Sequence, residues 1–499
     1  MRAAYAKAPR LIRDAGSHIG ADLVVLTLGV VCQMVLVHLV TTSTYGAWVL
    51  LCNAAGTLFL LVHFGLPTLV ARHVPQSPTD ARPMVRRLVG AQASLLMMCG
   101  LIGGALVLIT GSFGLPLMLF GLLFLDLTLH HLASVPRAGL RALGCAPWDA
   151  AARIVERGVL CGGYVLMLLI GANDLLLIAG AGVISNLASF GFIWWLFNRV
   201  APDDAGTQDT SPSLRTMLWL GLPVFLTMWF QRTLWDVNEY FLAAWNGLDA
   251  VAAYHVAWVV IGGALSIPLA MRQAMLPVFS ACKGDHAALL AEVRRTMRIL
   301  HAMLPLGLLI LVGGSLLLMG VVFPDAYLEG SWRGDSALAL VLLMSGAWCL
   351  GVLASPFSVL VLLQPNTWRY AALHGSVFCL GVIAAAVLVT SFGLVGAAAS
   401  CLVAMTGRLL LGLKMSGVCR DLCQGWMRPT LATTGCVLTG VMLWSSFTWL
   451  GPASTIVLLL VVTLGLTAAN VVSFVDANQR TTPTAVAATV LGTVNTRLE

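Results

Sequence analysis

Three ionisable residues, Arg232, Asp236 and Glu239, stand in an otherwise apolar segment at positions i, i+4 and i+7. That spacing puts all three on one face of a helix. A guanidinium keeps its charge and presents a planar fork of donors matched to phosphate oxygens. Carboxylates beside it can accept sugar hydroxyls, or bind a driving proton or Na⁺. The set therefore suits an anionic, sugar-bearing headgroup held in a hydrated cavity. The plainer reading is an internal Arg232–Asp236 ion pair, with Glu239 reaching the outer interface. A second pair, Asp126 and His130, lies one helical turn apart in another apolar segment. It can relay a proton for ion coupling, since histidine titrates near neutrality; a local hydrogen bond in a packed helix is the alternative. No metal site is expected: Cys419 and Cys423 lie four apart without further His or Cys at ligand spacing. No cofactor is expected either. A GxxxxGK[ST] phosphate loop is lacking, so energy must come from an ion gradient, the membrane potential or removal of product.

The elements that carry these residues are membrane spans. Hydrophobic residues make up 59% of the 499-residue chain and charged residues 10%, with a mean hydropathy of +0.91. Soluble domains carry about 25% charged residues, so most of this surface faces lipid. Apolar stretches of about 20 residues, each enough to cross ~30 Å of hydrocarbon, recur about fourteen times. They fall at 19–40, 46–70, 89–110, 115–135, 155–172, 175–197, 214–244, 251–272, 299–322, 336–363, 371–390, 394–415, 429–450 and 454–475. Their connections alternate between basic and nearly uncharged. Placing the basic ones in the cytoplasm leaves only Arg232 and Arg333 of the 28 Lys+Arg elsewhere. By the positive-inside rule both termini are then cytoplasmic. The net charge of +7 faces anionic lipid and gives no reason to expect nucleic acid. The first stretch is too long for a signal-peptide core and is expected to be retained. Twelve cysteines lie within spans or on the inner side, for example Cys32, Cys161 and Cys401, which argues against a disulfide framework.

A charged group inside a span costs about 2.5–3.5 kcal/mol on insertion scales, so Arg232 needs a reason to be there. The apolar run before it, 217–230, covers only about 21 Å, which puts part of the charged turn inside the outer half of the membrane. His38, His63 and Arg408 read more plainly, as satisfied or snorkelling side chains. Pro223, Pro268 and Pro356 interrupt spans seven, eight and ten and supply bending points, though static bundles contain such prolines too. Paired glycines such as Gly180 and Gly182 suffice as close helix contacts.

The Pro/Asp/Ser/Thr-rich segment 199–215 reads as a cytoplasmic linker. It divides an N-terminal lobe, 1–198 with six spans, from a C-terminal lobe, 216–415 with six more. Residues 416–499 hold two further spans and a cytoplasmic tail. A weak repeat links the lobes: Trp48 and Pro67 bound the second span as Trp258 and Pro277 bound the eighth, at the same separation. The expected fold is an all-α polytopic membrane protein of about fourteen helices. Two six-helix lobes related by a pseudo-twofold repeat, plus two C-terminal helices, surround a central cavity, a recognised transporter plan.

Within this topology lie Tyr45-Gly46 entering the second span, and Phe64-Gly65-Leu66 and Arg72 closing it. Arg137 and Arg141, the latter followed by Ala-Leu-Gly, precede the fifth span; Ala253-Tyr254 with Ala257 open the eighth. The run SFGLVGAA from Ser391 to Ala398 leads into the twelfth. In order and spacing these resemble the bacterial polysaccharide and oligosaccharide-lipid flippases, over most of residues 15–415. The last two spans resemble the extra pair of fourteen-span members of the superfamily. The resemblance implies a flippase that moves a polyprenyl-(pyro)phosphate-linked oligosaccharide from the inner to the outer leaflet of the bacterial cytoplasmic membrane. It would do so by alternating access, for exopolysaccharide or O-antigen assembly. Charged groups on the seventh span face the central cavity in such proteins. Implied partners are membrane lipids, H⁺ or Na⁺, a polysaccharide polymerase and assembly proteins.

Two relatives fit less well. A peptidoglycan-precursor flippase is expected to place several arginines in its first two spans, and none occurs between Arg13 and Arg72. A multidrug/cation antiporter is expected to carry buried carboxylates, whereas the first span has only Asp22 and Arg232 repels cations. The rival of another class is a membrane glycosyltransferase, polymerase or ligase. Such an enzyme needs a structured outer loop, and the longest one here, 324–335, is too short to build it.

Overall fold

The computed structural model describes residues 8–63, 66–67, 70, 74, 80–110, 117–202, 214–264, 266–282, 284–323 and 335–418. Beyond them lie Phe64-Gly65, Arg72, most of the linker, the loop bearing Arg333, Cys419, Cys423 and the thirteenth and fourteenth spans. The described chain is all helical. In order the helices are α1 (Ala8–Leu39), α2 (Thr42–His63), α3 (Ala81–Thr110), α4 (Leu117–Ala142), α5 (Ala146–Ile170) and α6 (Leu175–Val200). Then come α7 (Leu214–Trp245), α8 (Leu248–Ala264), α9 (Ser266–Ala281), α10 (His286–Val322), α11 (Asp335–Leu362) and α12 (Trp368–Ser416). The expected eighth span is thus described as α8 and α9, on either side of residue 265. Six helices among the described residues are long and apolar enough to cross a membrane, and two shorter apolar ones accompany them. Large apolar side chains stand exposed along them, for instance Leu101, Leu187, Ile310 and Ile383. Water would penalise that surface, whereas hydrocarbon does not.

Several helices run beyond the apolar stretches at their charged ends. α4 and α5 extend by a turn or two because Arg141 Nη1 pairs with Asp149 Oδ2 at 2.9 Å across their junction. The segment 283–298, expected as an inner connection, is mostly helix instead. Asp285 Oδ1 accepts from Ala288 N at 3.0 Å as its cap, and Ala, Leu, Glu and Arg are strong helix formers. At the start of α6, Asp174 caps Leu176 N at 2.9 Å. At its far end Arg82 Nη2 donates to the carbonyls of Asn198 and Ala201, which the helix leaves without partners. The expected connection between spans eleven and twelve is a kink inside α12. Gly393 there has φ 54° and ψ −127°, a conformation essentially restricted to glycine.

The chain packs as two compact units. The first comprises Met1–Val260, Val322–Trp332 and Tyr370–Ala397. In it α4 lies against α6 and α3, α5 against α1 and α6, and α2 against α7, α4 and α3. One apolar core of this unit joins Leu66, Val85, Leu88, Val135, Leu140, Ile193 and Phe197. The second unit comprises Ile261–Val321, Arg333–Arg369 and Ala398–Glu499. There α9 packs on α11, and Trp348 Nε1 donates to Ala264 O at 2.8 Å. Arg408, expected to snorkel, directs Nη2 toward Ser358 Oγ at 3.5 Å within this unit.

Candidate functional site

The α7–α8 hairpin turns at Gly247, whose φ of 87° is a left-handed value that glycine adopts at no steric cost. The turn brings the two helices back antiparallel, so residues pair in layers. Glu239 meets His255, Oε1 to Nδ1 at 2.7 Å. Nearer the middle, Trp235 stacks on Trp258 with centroids 4.6 Å apart and rings 24° from parallel.

α2 seals this hairpin from one side. The fit is closest at Gly46, where a side chain would run into the backbone carbonyl of Leu248. Thr42 Oγ1 donates to Asp249 Oδ1 at 2.6 Å. The Tyr45 ring meets His255 edge-on at 5.9 Å, and its hydroxyl donates to Gln33 Oε1 on α1 at 2.9 Å. Tyr45-Gly46 thus sits where α2 closes on α7–α8, which accounts physically for that pair of residue types.

Arg232, Asp236 and Glu239 do share one face of α7. Arg232 Nε is 3.2 Å from Asp236 Oδ2, and Arg232 Nη2 donates to Asn53 Oδ1 on α2 at 3.2 Å. The other end of the Asn53 amide donates through Nδ2 to Glu239 Oε2. A continuous polar chain results: His255, Glu239, Asn53, Arg232, Asp236. Asp236 and Glu239 are buried, at 2% and 1% exposure, and Asn53 at 5%, whereas the Arg232 side chain is 54% exposed. Glu239 is therefore enclosed rather than reaching an interface, with both oxygens engaged. The ion pair of the plainer reading is present. Even so, the guanidinium keeps an open side, with Nη1 in no hydrogen bond among the described residues. Its neighbour Gln231 points to another helix, Nε2 lying 2.9 Å from His374 Nε2 on α12.

Asp126 and His130 are not joined to each other. Asp126 Oδ1 accepts from Asn186 Nδ2 on α6 at 2.7 Å. It comes so close to that helix because Gly182 has no side chain: a Cβ there would stand 2.9 Å from Oδ1. His130 Nδ1 instead lies 3.4 Å from Glu156 Oε1 on α5. A buried ionic cluster adjoins them. Arg137 donates to Glu156 and, at 2.5 Å, to Ser189 Oγ. Ser189 Oγ in turn donates to Glu156 Oε2 at 3.1 Å. Asp149, fully buried, receives Arg141 and has Arg137 and Arg153 each at 3.9 Å. Asn53, His255, Glu156, Asp149 and Asn186 escape a reading by apolar span: His255, Glu156 and Asp149 stand near span ends and look like interface residues, Asn53 and Asn186 look like tolerated polar residues within a span, and the partners of all five sit on other helices. One signal was available for two of them. Asp149 and Glu156 stand seven residues apart, which puts both carboxylates on one face of α5.

The model of the family described as polysaccharide biosynthesis protein covers residues 11–283, more than half of the chain and all of the α2/α7–α8 seam. The chain belongs to this family. No curated protein matches it. Among solved structures, this chain is similar to an inward-facing multidrug resistance MATE family transporter of the MOP superfamily. The TM-score is 0.61 at 17% identity, over 83% of this chain and 99% of the other. It is also similar to a MOP superfamily transporter from Pyrococcus furiosus, at 0.58 and 14%, over 84% and 96%. An outward-facing MATE family transporter matches at 0.53 and 17%, over 82% and 96%. These likenesses show the fold, an all-α architecture shared with those structures, and the long apolar helices among the described residues are those of a multi-pass membrane protein.

Proposed function

We propose that this protein is a flippase for polyprenyl-(pyro)phosphate-linked oligosaccharides, moving them from the inner to the outer leaflet of the bacterial cytoplasmic membrane. A polar headgroup cannot cross hydrocarbon unaided, while its lipid tail can remain in the bilayer. The observation that carries the reading is Arg232: a half-exposed guanidinium on α7, anchored from behind by buried Asn53 and Asp236 and open on its other side. A charge held in that way is preorganised for an anionic group. Asp236 holds the guanidinium directly and Glu239 holds it through Asn53, with Asp236 the nearer to any sugar hydroxyl or coupling ion. Asp126 and His130 serve as the proton or Na⁺ coupling groups of the first lobe. The lobes 1–198 and 216–415, joined by the linker 199–215, rock about the site, with residues 416–499 adding two spans and a tail. Both termini lie in the cytoplasm. Glycosyltransferases on that side supply the substrate, and a polymerase and assembly proteins receive it outside. Family membership supports a place in polysaccharide biosynthesis.

The test is reconstitution into liposomes containing a fluorescent polyprenyl-pyrophosphoryl disaccharide, with leaflet exchange read by a membrane-impermeant quencher. Arg232→Ala should slow exchange about a hundredfold, the factor that loss of a charge-assisted bond of ~3 kcal/mol implies. Arg232→Lys should keep part of the rate, as a point charge without the planar fork. Exchange by Arg232→Ala at the parent rate would remove Arg232 from the mechanism.

A further inference from the structure

Among the described residues Arg232 has two protein partners, an ion pair with Asp236 and a hydrogen bond to Asn53, and they differ in kind. Asp236 is a carboxylate one turn away on the same helix, so that pair persists however the helices move. Asn53 is a neutral amide on a different helix, and its Oδ1 ties α2 to the guanidinium. A phosphate oxygen is charged and a better acceptor than an amide carbonyl, by roughly a factor of two in bond strength. An anion reaching Arg232 therefore meets one partner it can displace and one it cannot. Behind Asn53 the chain continues: its Nδ2 holds Glu239, which holds His255. With Asn53 released from Arg232, its amide keeps, among the described residues, the Glu239 bond alone, and α2 loses one of its polar ties to α7.

We propose that Asn53 is a positioning residue that occupies Arg232 in the unloaded protein and yields it to the substrate's phosphate, so that anion binding and release of α2 from α7 are one event. This rests on Arg232 as the headgroup-binding group. No covalent step is involved; one hydrogen bond, Arg232 Nη2 to Asn53 Oδ1, is exchanged for one to a phosphate oxygen. The surrounding contacts, Thr42 to Asp249 and Gly46 against Leu248, lie nearer the α7–α8 turn. They make α2 a lever whose fixed end is the turn and whose bonded midpoint is Asn53.

The experiment measures binding of farnesyl pyrophosphate, and separately inorganic pyrophosphate, to the purified full-length protein, alongside liposome exchange. Asn53→Leu removes the competitor at similar volume and should tighten farnesyl pyrophosphate binding about threefold. The exchanged pair Asn53→Asp with Glu239→Gln keeps one carboxylate and one amide in contact but turns the charge toward Arg232. It should weaken binding about tenfold, the factor that 1.4 kcal/mol sets, with thermal stability near the parent's. A residue that only supports the fold predicts something else: weaker binding for Asn53→Leu and no change in affinity for the exchanged pair, whereas lower stability of Asn53→Leu follows on either account because buried Glu239 loses its donor. Either of those binding results overturns the proposal. Opposite shifts with farnesyl pyrophosphate, larger than with inorganic pyrophosphate, support a lipid headgroup as the displacing anion. Equal shifts with both assign the exchange to any free pyrophosphate and overturn that source. Arg232→Ala separates the two levels. Unchanged binding there defeats the underlying site, whereas lost binding there with no shift in the Asn53 variants defeats only the displacement.

Discussion

Removing Glu156 should damage the protein through Arg137 rather than through any substrate. Arg137 is buried at 8% exposure and gives its guanidinium to Glu156 and Ser189. Glu156→Leu deletes the one carboxylate in direct contact and leaves only Asp149, 3.9 Å from Nε and already bonded to Arg141. Ser189 loses an acceptor as well. Breaking a buried ion pair from one side costs about 3–5 kcal/mol, because an uncompensated charge stays inside. Replacing both partners by apolar groups of similar size is often neutral, since the desolvation cost disappears with the charges. Glu156→Leu should therefore lose about 3 kcal/mol or more, and Arg137→Leu with Glu156→Leu should recover most of it. The assay is thermal unfolding in detergent with a thiol-reactive dye, which suits a chain whose Cys32 and Cys161 are free and buried in the same unit. A double variant as unstable as the sum of the two single ones would refute the argument, because the residues would then not be acting as a pair.

Asp236→Asn, which keeps the shape and removes the charge beside Arg232, should alter the dependence of exchange on pH or Na⁺; unaltered dependence in liposomes would leave Asp236 a structural partner only. Gly393→Ala should destabilise the protein by about 1–3 kcal/mol, the usual cost of forcing a side chain into a sparsely populated backbone region. That cost is compounded here by Asn246 Nδ2, which a Cβ would approach to 3.1 Å, and thermal unfolding reads it.

The fold was legible because lipid imposes a simple code. Long apolar runs mark helices without any knowledge of packing. The span 214–244 matches Leu214–Trp245 almost residue for residue. Errors lie where polar side chains find partners on neighbouring helices. Arg141 and Asp149 carry α4 and α5 past their apolar ends, and a window of hydropathy cannot register a bond between side chains on two helices. The candidate site shows the same limit. The spacing of Arg232, Asp236 and Glu239 announces a shared face, because helical periodicity is local. Asn53 is 179 residues from Arg232, and nothing in its surroundings on α2 distinguishes it from a tolerated polar residue in a span. His130 lies four residues from Asp126, yet its ring turns to Glu156. Proximity along a helix does not decide which neighbouring helix a side chain faces.

Leaflet-resolved detection of lipid-linked sugar in cells lacking the protein tests the central claim most directly. Headgroup labelling from the outside, compared with labelling after permeabilisation, gives the fraction translocated. The account predicts that lipid-linked oligosaccharide accumulates in the inner leaflet and that the parent chain, but not Arg232→Ala at equal abundance, returns it to the outer one. An unchanged outer fraction, with only the length of the polymer altered, would contradict it and point to chain assembly instead.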